Sequence, residues 1–239
     1  MKAIAVIPAR LASTRLPRKM LREIAGKPLI GVVYEAVVSS SRLANVIVAT
    51  DSEEISDVCR ANNWNVQMTS PSHHSGTERV HEISGRESAD VYINVQGDEP
   101  LVCQEQLATL LDVMSDPKVE VGTLKTLAAA IDIPNPNAVK VVTDPHGRAL
   151  YFSRAAIPYD RDNTKPRYFK HLGLYAYRKP ALDRFVKLPE SALEKAERLE
   201  QLRFMENGIP IYVGDTPYDS IGVDTEEDLQ RVIAILGNS

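Results

Sequence analysis

The chain reads as an α/β protein with a Rossmann-like, mostly parallel sheet and a small antiparallel insertion, and three observations predict this. Short apolar runs at residues 3–7, 45–50 and 91–95 are each followed by a segment whose apolar residues recur at helical spacing. Such alternation marks βαβ units, whose crossovers are right-handed. After Val119 the pattern changes to successive extended segments joined by a hairpin signal. The charged and hydroxyl groups gather where the apolar runs end, which is where an open parallel sheet binds its ligands.

The totals set bounds. With 239 residues, 44% hydrophobic and 25% charged, the chain has the composition of a soluble globular protein able to bury a sizeable core. A formal net charge of -4 gives the bulk electrostatics no reason to favour nucleic acid, so any basic site must be local. Cys59 and Cys103 fall in segments that read as helix or helix entry, which argues against a structural disulfide and for a reducing compartment. No signal-peptide pattern opens the chain, and no apolar run approaches the roughly 20 residues that span a bilayer. The expectation is a cytoplasmic protein without membrane insertion. With no repeat or long linker, it is expected to be a single domain over residues 1–239, carrying an insertion around 138–178.

In chain order, residues 3–7 form a buried parallel strand that breaks at Pro8 into a loop. Gly26-Lys27-Pro28 opens a helix with proline in its first turn and Leu29, Val32, Val33, Ala36 and Val37 on one face. Residues 45–50 are the second strand, and Asp51 with Glu54 makes a capping-box-like start to a helix burying Ile55, Val58 and Cys59. Residues 66–69 are a third, short strand, and the polar loop 70–76 delivers Thr77-Glu78-Arg79-Val80 into a helix. Residues 91–95 are the clearest buried strand, ending in Gln96-Gly97-Asp98-Glu99-Pro100, and Leu107, Leu110, Leu111 and Met114 mark the next helix. Segments 119–127, 138–143, 148–153 and 169–178 are extended, with Asp144-Pro145-His146-Gly147 turning between two of them and 157–167 forming a polar excursion. A long helix is expected over 191–206, with Ser191 and Glu194 as a capping box and Gly208 as a stop. Residues 209–213 and 220–223 read as strands, and Asp224-Thr225 caps a closing helix with Leu229, Val232, Ile233 and Leu236 inward.

The loop after the first strand carries Arg10, Arg15, Arg18 and Lys19 with the hydroxyls of Ser13 and Thr14. Guanidinium groups grip phosphate oxygens bidentately and lysine acts as a point charge, so this loop suits a polyphosphate. It contains no glycine, which separates it from the Walker loop and the dinucleotide fingerprint and leaves the cradling to side chains. A solvated basic turn is the alternative, and the position at a strand's carboxyl end weighs against it. Asp98, freed by Gly97 at the end of a core strand, is placed to hold a hard cation, and Asp224, past another apolar segment, could supply a second carboxylate or simply cap a helix. Mg²⁺ is the ion a nucleotide reaction at phosphorus calls for. The run His74-Ser75-Gly76-Thr77-Glu78-Arg79 is either a base-recognising turn or a helix cap with a salt bridge. His73 and His74 lack a further ligand at zinc spacing and show no catalytic partner in the sequence. Residues 170–178 alternate so that His171, Gly173, Tyr175 and Tyr177 share a face, which with Arg154 could take a carboxylate or could be an ordinary half-exposed strand.

Taken together, the motifs resemble the 3-deoxy-manno-octulosonate (Kdo) cytidylyltransferases. The resemblance runs through Pro8-Ala9-Arg10 with Ser13, Arg15, Leu16, Pro17 and Lys19, then His74-Ser75-Gly76-Thr77, then Asn94 to Pro100. It continues through NPNAVKVV from Asn135, ALYFSR from Ala149, His171 to Arg178, LEQLR from Leu199 and Gly222 to Thr225 with Glu227-Asp228-Leu229. It implies a nucleotide-diphospho-sugar transferase fold, a cytosolic homodimer whose insertion serves dimerisation and sugar binding, and the reaction of CTP with Kdo to CMP-Kdo and pyrophosphate for lipopolysaccharide biosynthesis. Carried over by position, it implies that Arg10, Ser13, Arg15 and Lys19 hold the triphosphate and that Ser75, Arg79 and Gln96 lie near the cytosine nucleotide. Asp98 and Asp224 would carry Mg²⁺, with Lys19 completing the catalytic set, and Arg154, His171, Tyr175, Glu200 and Gln201 would surround the sugar acid. Two positions depart from the pattern: Arg18 stands where the family usually has glycine, and Glu226 where it often has proline. Rival readings are a cytidylyltransferase for 8-amino-Kdo or an N-acylneuraminate, or a non-catalytic nucleotide-binding protein on the same fold. No side chain declares itself as general base, so a metal-polarised sugar hydroxyl is the expected nucleophile.

Overall fold

The computed structural model describes residues 1–13 and 15–237, and the chain in it falls into two compact units, residues 1–107 with 220–239 and residues 108–219. Thr14, one of the two loop hydroxyls, lies outside the described residues.

The first unit begins with β1 (Ala3–Ala9), which runs through Pro8 instead of breaking there. A parallel ladder to a neighbouring strand still continues past the proline, pairing Pro8 with Ala49 and Ala9 with Thr50. After the loop come a 3-10 turn (Lys19–Leu21) and a two-stranded ribbon, β2 (Glu23–Ile24) with β3 (Lys27–Pro28). The ribbon takes Lys27 and Pro28 into extended backbone, so Pro28 becomes the N-cap of α1 (Leu29–Val38) and not part of its first turn. Gly31 lets α1 approach Trp64 closely, since a Cβ there would collide with the indole ring. β4 (Asn45–Thr50), α2 (Glu53–Ala61), β5 (Val66–Met68), α3 (Gly76–Ser84) and β6 (Val91–Asn94) follow. The four longer strands pair in the order β6-β1-β4-β5, all parallel, as the buried apolar runs predict. Ser52, not Asp51, caps α2 by accepting from the Ile55 amide. Asp51 is drawn away by Arg79, as described below.

The boundary between the units runs inside α4 (Gln104–Val113), after Leu107. The second unit contains β7 (Val121–Leu127), β8 (Lys140–Thr143), β9 (Ala149–Ser153) and β10 (Phe169–Tyr177). β7 pairs antiparallel with β10, and β8 forms an antiparallel hairpin with β9 whose turn rests on Gly147 at φ 80° and on the Asp144 carboxylate. These are the antiparallel strands expected of the insertion, and residues 157–167 contain neither helix nor strand.

The expected single helix over 191–206 is two helices. After α5 (Lys179–Phe185), α6 (Ala192–Glu197) ends at Arg198, which adopts the left-handed conformation at φ 55°, and α7 (Gln201–Glu206) starts afresh. The physical reason lies in Arg154. Its guanidinium donates to the Glu197 carbonyl at 2.7 Å and the Arg198 carbonyl at 3.3 Å, satisfying groups that a continuing helix would have bonded itself. β11 (Ile211–Asp215) then pairs parallel with β7.

Returning to the first unit, residues 220–223 are not a strand. They have no regular secondary structure, and the Val223 amide donates to the Asp98 carbonyl at 2.8 Å. α8 (Glu226–Leu236) closes the described chain, capped by Thr225 in a capping box with Asp228.

Candidate functional site

Within the first unit, a cleft of about 360 Å³ opens at the carboxyl ends of β1 and β6. Its lining includes Arg10, Ser13, Arg15, Lys19, Gln96, Asp98 and Asp224. Seven of the residues singled out in the sequence are therefore brought together, and each is delivered by a local feature. β1 feeds Arg10 into the cleft, and the Arg10 guanidinium donates to the His73 carbonyl at 2.6 Å. Gly97 lets the turn after β6 lie against β1, because a Cβ there would meet the Pro8 carbonyl oxygen at 2.9 Å and the Met20 sulfur at 3.1 Å. That close approach sets Asp98 beside the basic loop. The hydrogen bond from Val223 to Asp98 brings the returning chain to the same place, and because Thr225 does the capping, the Asp224 side chain is left for the cleft.

Lys19 is the centre of this arrangement. Its ammonium donates to Asp98 at 2.5 Å and to Asp224 at 3.0 Å, while Arg15 pairs with the other Asp224 oxygen at 2.9 Å. Only 9% of the Lys19 side chain is exposed, against 64% of Arg15. Burial alone would lower the Lys19 pKa, but the charges and hydrogen bonds of Asp98 and then Asp224 outweigh it, and the net shift is upward. Lys19 is thus a permanent cation. Two carboxylates whose oxygens converge on one nitrogen are also the donor set of a hard divalent cation that keeps its remaining positions for water or phosphate, so the residues fit Mg²⁺.

Ser75 and Arg79 sit differently from the cleft-lining group. The Ser75 hydroxyl caps α3, accepting from the Glu78 amide. The Arg79 side chain is fully buried. It donates to Thr69 at 2.5 Å, to the Ser70 carbonyl at 3.3 Å and to Asp51 at 2.7 Å. It ties the ends of β4 and β5 to α3 and so fixes the loop whose His73 carbonyl holds Arg10. His73, which shows no partner in the sequence, meets Glu82 at 2.5 Å, and Glu82 also accepts from the Ser70 amide. Ala12 and Met20 also line the cleft and were not readable as site residues, since neighbourhood in space is their qualification, whereas Gly76 lines it from the run read as a turn or helix cap. Asn94, at the end of β6 and outside that lining, carries a signal of its own. It is a polar residue in the most apolar strand, 2% exposed, and its side-chain oxygen has no hydrogen-bond partner.

The second unit holds Arg154, His171, Tyr175, Glu200 and Gln201. The Arg154 guanidinium is engaged by backbone carbonyls, those of Glu197 and Arg198 and that of Pro136 at 2.9 Å. It thereby anchors the chain just ahead of Glu200 and Gln201. His171 packs edge-on against Phe152 at 4.9 Å between ring centres and lies 5.3 Å from Tyr175, which stacks on Tyr177. The faces expected to be shared do meet, although the register shifts between Leu172 and Tyr175. Burial pushes the His171 pKa down to about 3, and the Thr123 hydroxyl lies 3.0 Å from its Nε2, so the ring is neutral near pH 7. Burial also raises the Tyr175 pKa well above its ordinary value. The Tyr175 hydroxyl and the Gln201 side-chain nitrogen are both buried without a hydrogen-bond partner. Unsatisfied groups of this kind cost stability unless a ligand or water completes them. Among the described residues no helix is long and apolar enough to cross a membrane.

Residues 4–211 match the family model described as cytidylyltransferase. A protein of Koribacter versatilis named 3-deoxy-manno-octulosonate cytidylyltransferase is 65% identical over 98% of this chain and 90% of its own length. One of the same name from Acidobacterium capsulatum is 52% identical over 99% of this chain and 97% of its own. A solved structure of CMP:2-keto-3-deoxy-manno-octonic acid synthetase in complex with CTP superposes with a TM-score of 0.96 at 43% identity, covering 100% of this chain and 99% of that one.

Proposed function

The chain belongs to the cytidylyltransferase family, and from that membership we propose that it transfers a cytidylyl group from CTP to Kdo, giving CMP-Kdo and pyrophosphate. The observation that carries the proposal is the convergence of Arg10, Arg15 and Lys19 with Asp98 and Asp224 on one cleft, a combination suited to a metal-bound triphosphate.

Arg10, Arg15 and Lys19 neutralise the triphosphate and hold it for in-line displacement at the α-phosphorus, with Ser13 adding a donor. Gln96, at the turn after β6, is assigned to the nucleotide. Ser75 and Arg79 serve the nucleotide by building the α3 entrance and the 70–73 loop. Asp98 and Asp224 are the residues that would hold Mg²⁺, which when bound supplies Lewis-acid polarisation of the sugar hydroxyl and charge neutralisation at the phosphates. His171, neutral near pH 7 with a pKa of about 3, orients the sugar acid and takes no proton from it. Tyr175 and Gln201 meet the sugar with the hydrogen-bonding atoms they leave open, and Arg154 and Glu200 complete that set. We place the enzyme in the cytoplasm as a homodimer, with a partner copy covering exposed apolar groups of the insertion such as Leu150 and Tyr159.

The test is pyrophosphate release from CTP and Mg²⁺, with and without Kdo, by the parent and by Asp98→Asn. Kdo-dependent release, lost in a variant that melts like the parent, is the expected result. Release with 8-amino-Kdo or an N-acylneuraminate in place of Kdo would overturn the sugar assignment, and CTP binding without release under any of these conditions would overturn the catalytic one.

A further inference from the structure

The backbone turn that presents Lys19 is made by a residue poorly suited to it. Arg18, the N-cap of the 3-10 turn, has φ 57° and ψ 32°, the left-handed region that a Cβ disfavours. Its carbonyl nevertheless accepts from the Leu21 amide at 2.9 Å, and the Lys19 carbonyl accepts from Arg22 at 3.1 Å, so the turn is fully formed. Any shift of Arg18 toward extended backbone would redirect the chain at Lys19 and separate its ammonium from Asp98 and Asp224. Meanwhile the Arg18 guanidinium is not turned to the cleft-lining set. It pairs with Glu54, in the first turn of α2. That helix is a firm anchor, because it follows directly from β4, buried in the parallel ladder, and is capped by Ser52.

We infer that Arg18 and Glu54 are positioning residues for the transfer reaction: their ion pair holds the left-handed turn closed and thereby keeps Lys19 aimed into the phosphate cleft. The inference rests on the assignment of that cleft to the triphosphate. It differs from the simpler idea that Arg18 is one more phosphate-binding cation, and the two make opposite predictions. If the pair positions the turn, loosening it lowers the fraction of molecules with Lys19 in place, and apparent affinity falls by that fraction. If Arg18 is a spare cation held back by Glu54, removing Glu54 releases it and affinity rises.

The decisive experiment is calorimetric titration of CTP with Mg²⁺ into the parent, Glu54→Gln, Arg18→Ala, Arg18→Gly and Lys19→Met, each checked by thermal melting. Exposed ion pairs contribute little, so the expected weakening is modest, roughly three- to fivefold for Glu54→Gln and for Arg18→Ala. Arg18→Gly, which loses the pair but accepts the left-handed turn without strain, should bind within about twofold of the parent. Rescue by glycine is the readout that a charge effect alone would not give. Tighter binding by Glu54→Gln, or equal loss in Arg18→Ala and Arg18→Gly, would overturn the positioning role. Unchanged binding by both pair variants alongside a loss in Lys19→Met would overturn this inference while leaving the cleft assignment intact. An unaffected Lys19→Met would overturn the cleft assignment itself, and the inference with it.

Discussion

Replacing Arg79 by methionine separates scaffolding from ligand binding at the entrance to α3. The side chain is 0% exposed, donates to Thr69 and Ser70 and pairs with Asp51, whose own side chain is 22% exposed. Methionine fills much of the volume but leaves the Asp51 carboxylate without its cation and the Thr69 hydroxyl and Ser70 carbonyl without their donor. Removing one partner of a buried ion pair costs about 3–5 kcal/mol. In a protein of this size each kcal/mol lowers the melting temperature by about 2–4 °C, so the variant should melt roughly 6–20 °C below the parent. CTP affinity, measured at a temperature where the variant remains folded, should fall only as far as the His73 loop relaxes its hold on Arg10, on the order of tenfold. Adding Asp51→Asn to Arg79→Met should recover part of the stability, because the stranded charge is then gone. A melting temperature within about 3 °C of the parent, combined with abolished CTP binding, would refute this reasoning and make Arg79 a direct nucleotide ligand.

Three other outcomes follow from the described geometry. Gly97→Ala puts a Cβ 2.9 Å from the Pro8 carbonyl, a backbone atom that cannot swing aside, so it should cost about 1–3 kcal/mol in urea unfolding and shift Asp98 enough to slow pyrophosphate release about 10- to 100-fold. His171 has a folded pKa of about 3, below its ordinary value of 6.5, so between those limits the unfolded chain binds the extra proton and the folded protein loses stability as pH falls from about 6.5 toward about 3; His171→Phe should flatten that part of the pH–stability curve. Burial raises the Cys59 thiol to about 11, so at pH 8 a maleimide should modify the partly exposed Cys103 in the native protein and reach Cys59 only on unfolding, as mass spectrometry of the labelled peptides would reveal.

Much of the fold was legible because buried parallel strands leave uninterrupted apolar runs, and β1, β4 and β6 each did. What escaped the sequence was decided by side chains distant along it. The break between α6 and α7 depends on Arg154, 43 residues before the carbonyl of Glu197 that it holds, and nothing between Ser191 and Glu206 announces it. Ser52 caps α2 in place of Asp51 because Arg79 claims that carboxylate. In the cleft, residue type pointed to Arg10, Arg15, Lys19 and Asp98, since a cation-rich loop and a freed acid at strand ends are local features. Arg79 carried the same charge signal, and its full burial on Asp51 could be learned only from packing. Asp224 looked more like a cap than a cleft residue until Thr225 proved to have the capping role.

The bond between Val223 and Asp98 also sets an order of events during synthesis. Lys19 leaves the ribosome 205 residues before Asp224, the second carboxylate it will hold. At elongation rates of about 5–20 residues per second, that interval is roughly 10–40 s. Once residue 98 has been made the basic loop and Asp98 both exist, and the whole of the 108–219 unit is made before the chain returns to finish the first. A polypeptide stopped between Asp98 and Asp224 therefore has the loop cations but only half of the carboxylate pair, and can charge-balance Lys19 with Asp98 alone. The last segment synthesised is thus the one that brings Asp224 to the cleft and, through the Val223 amide, ties the chain to the Asp98 carbonyl.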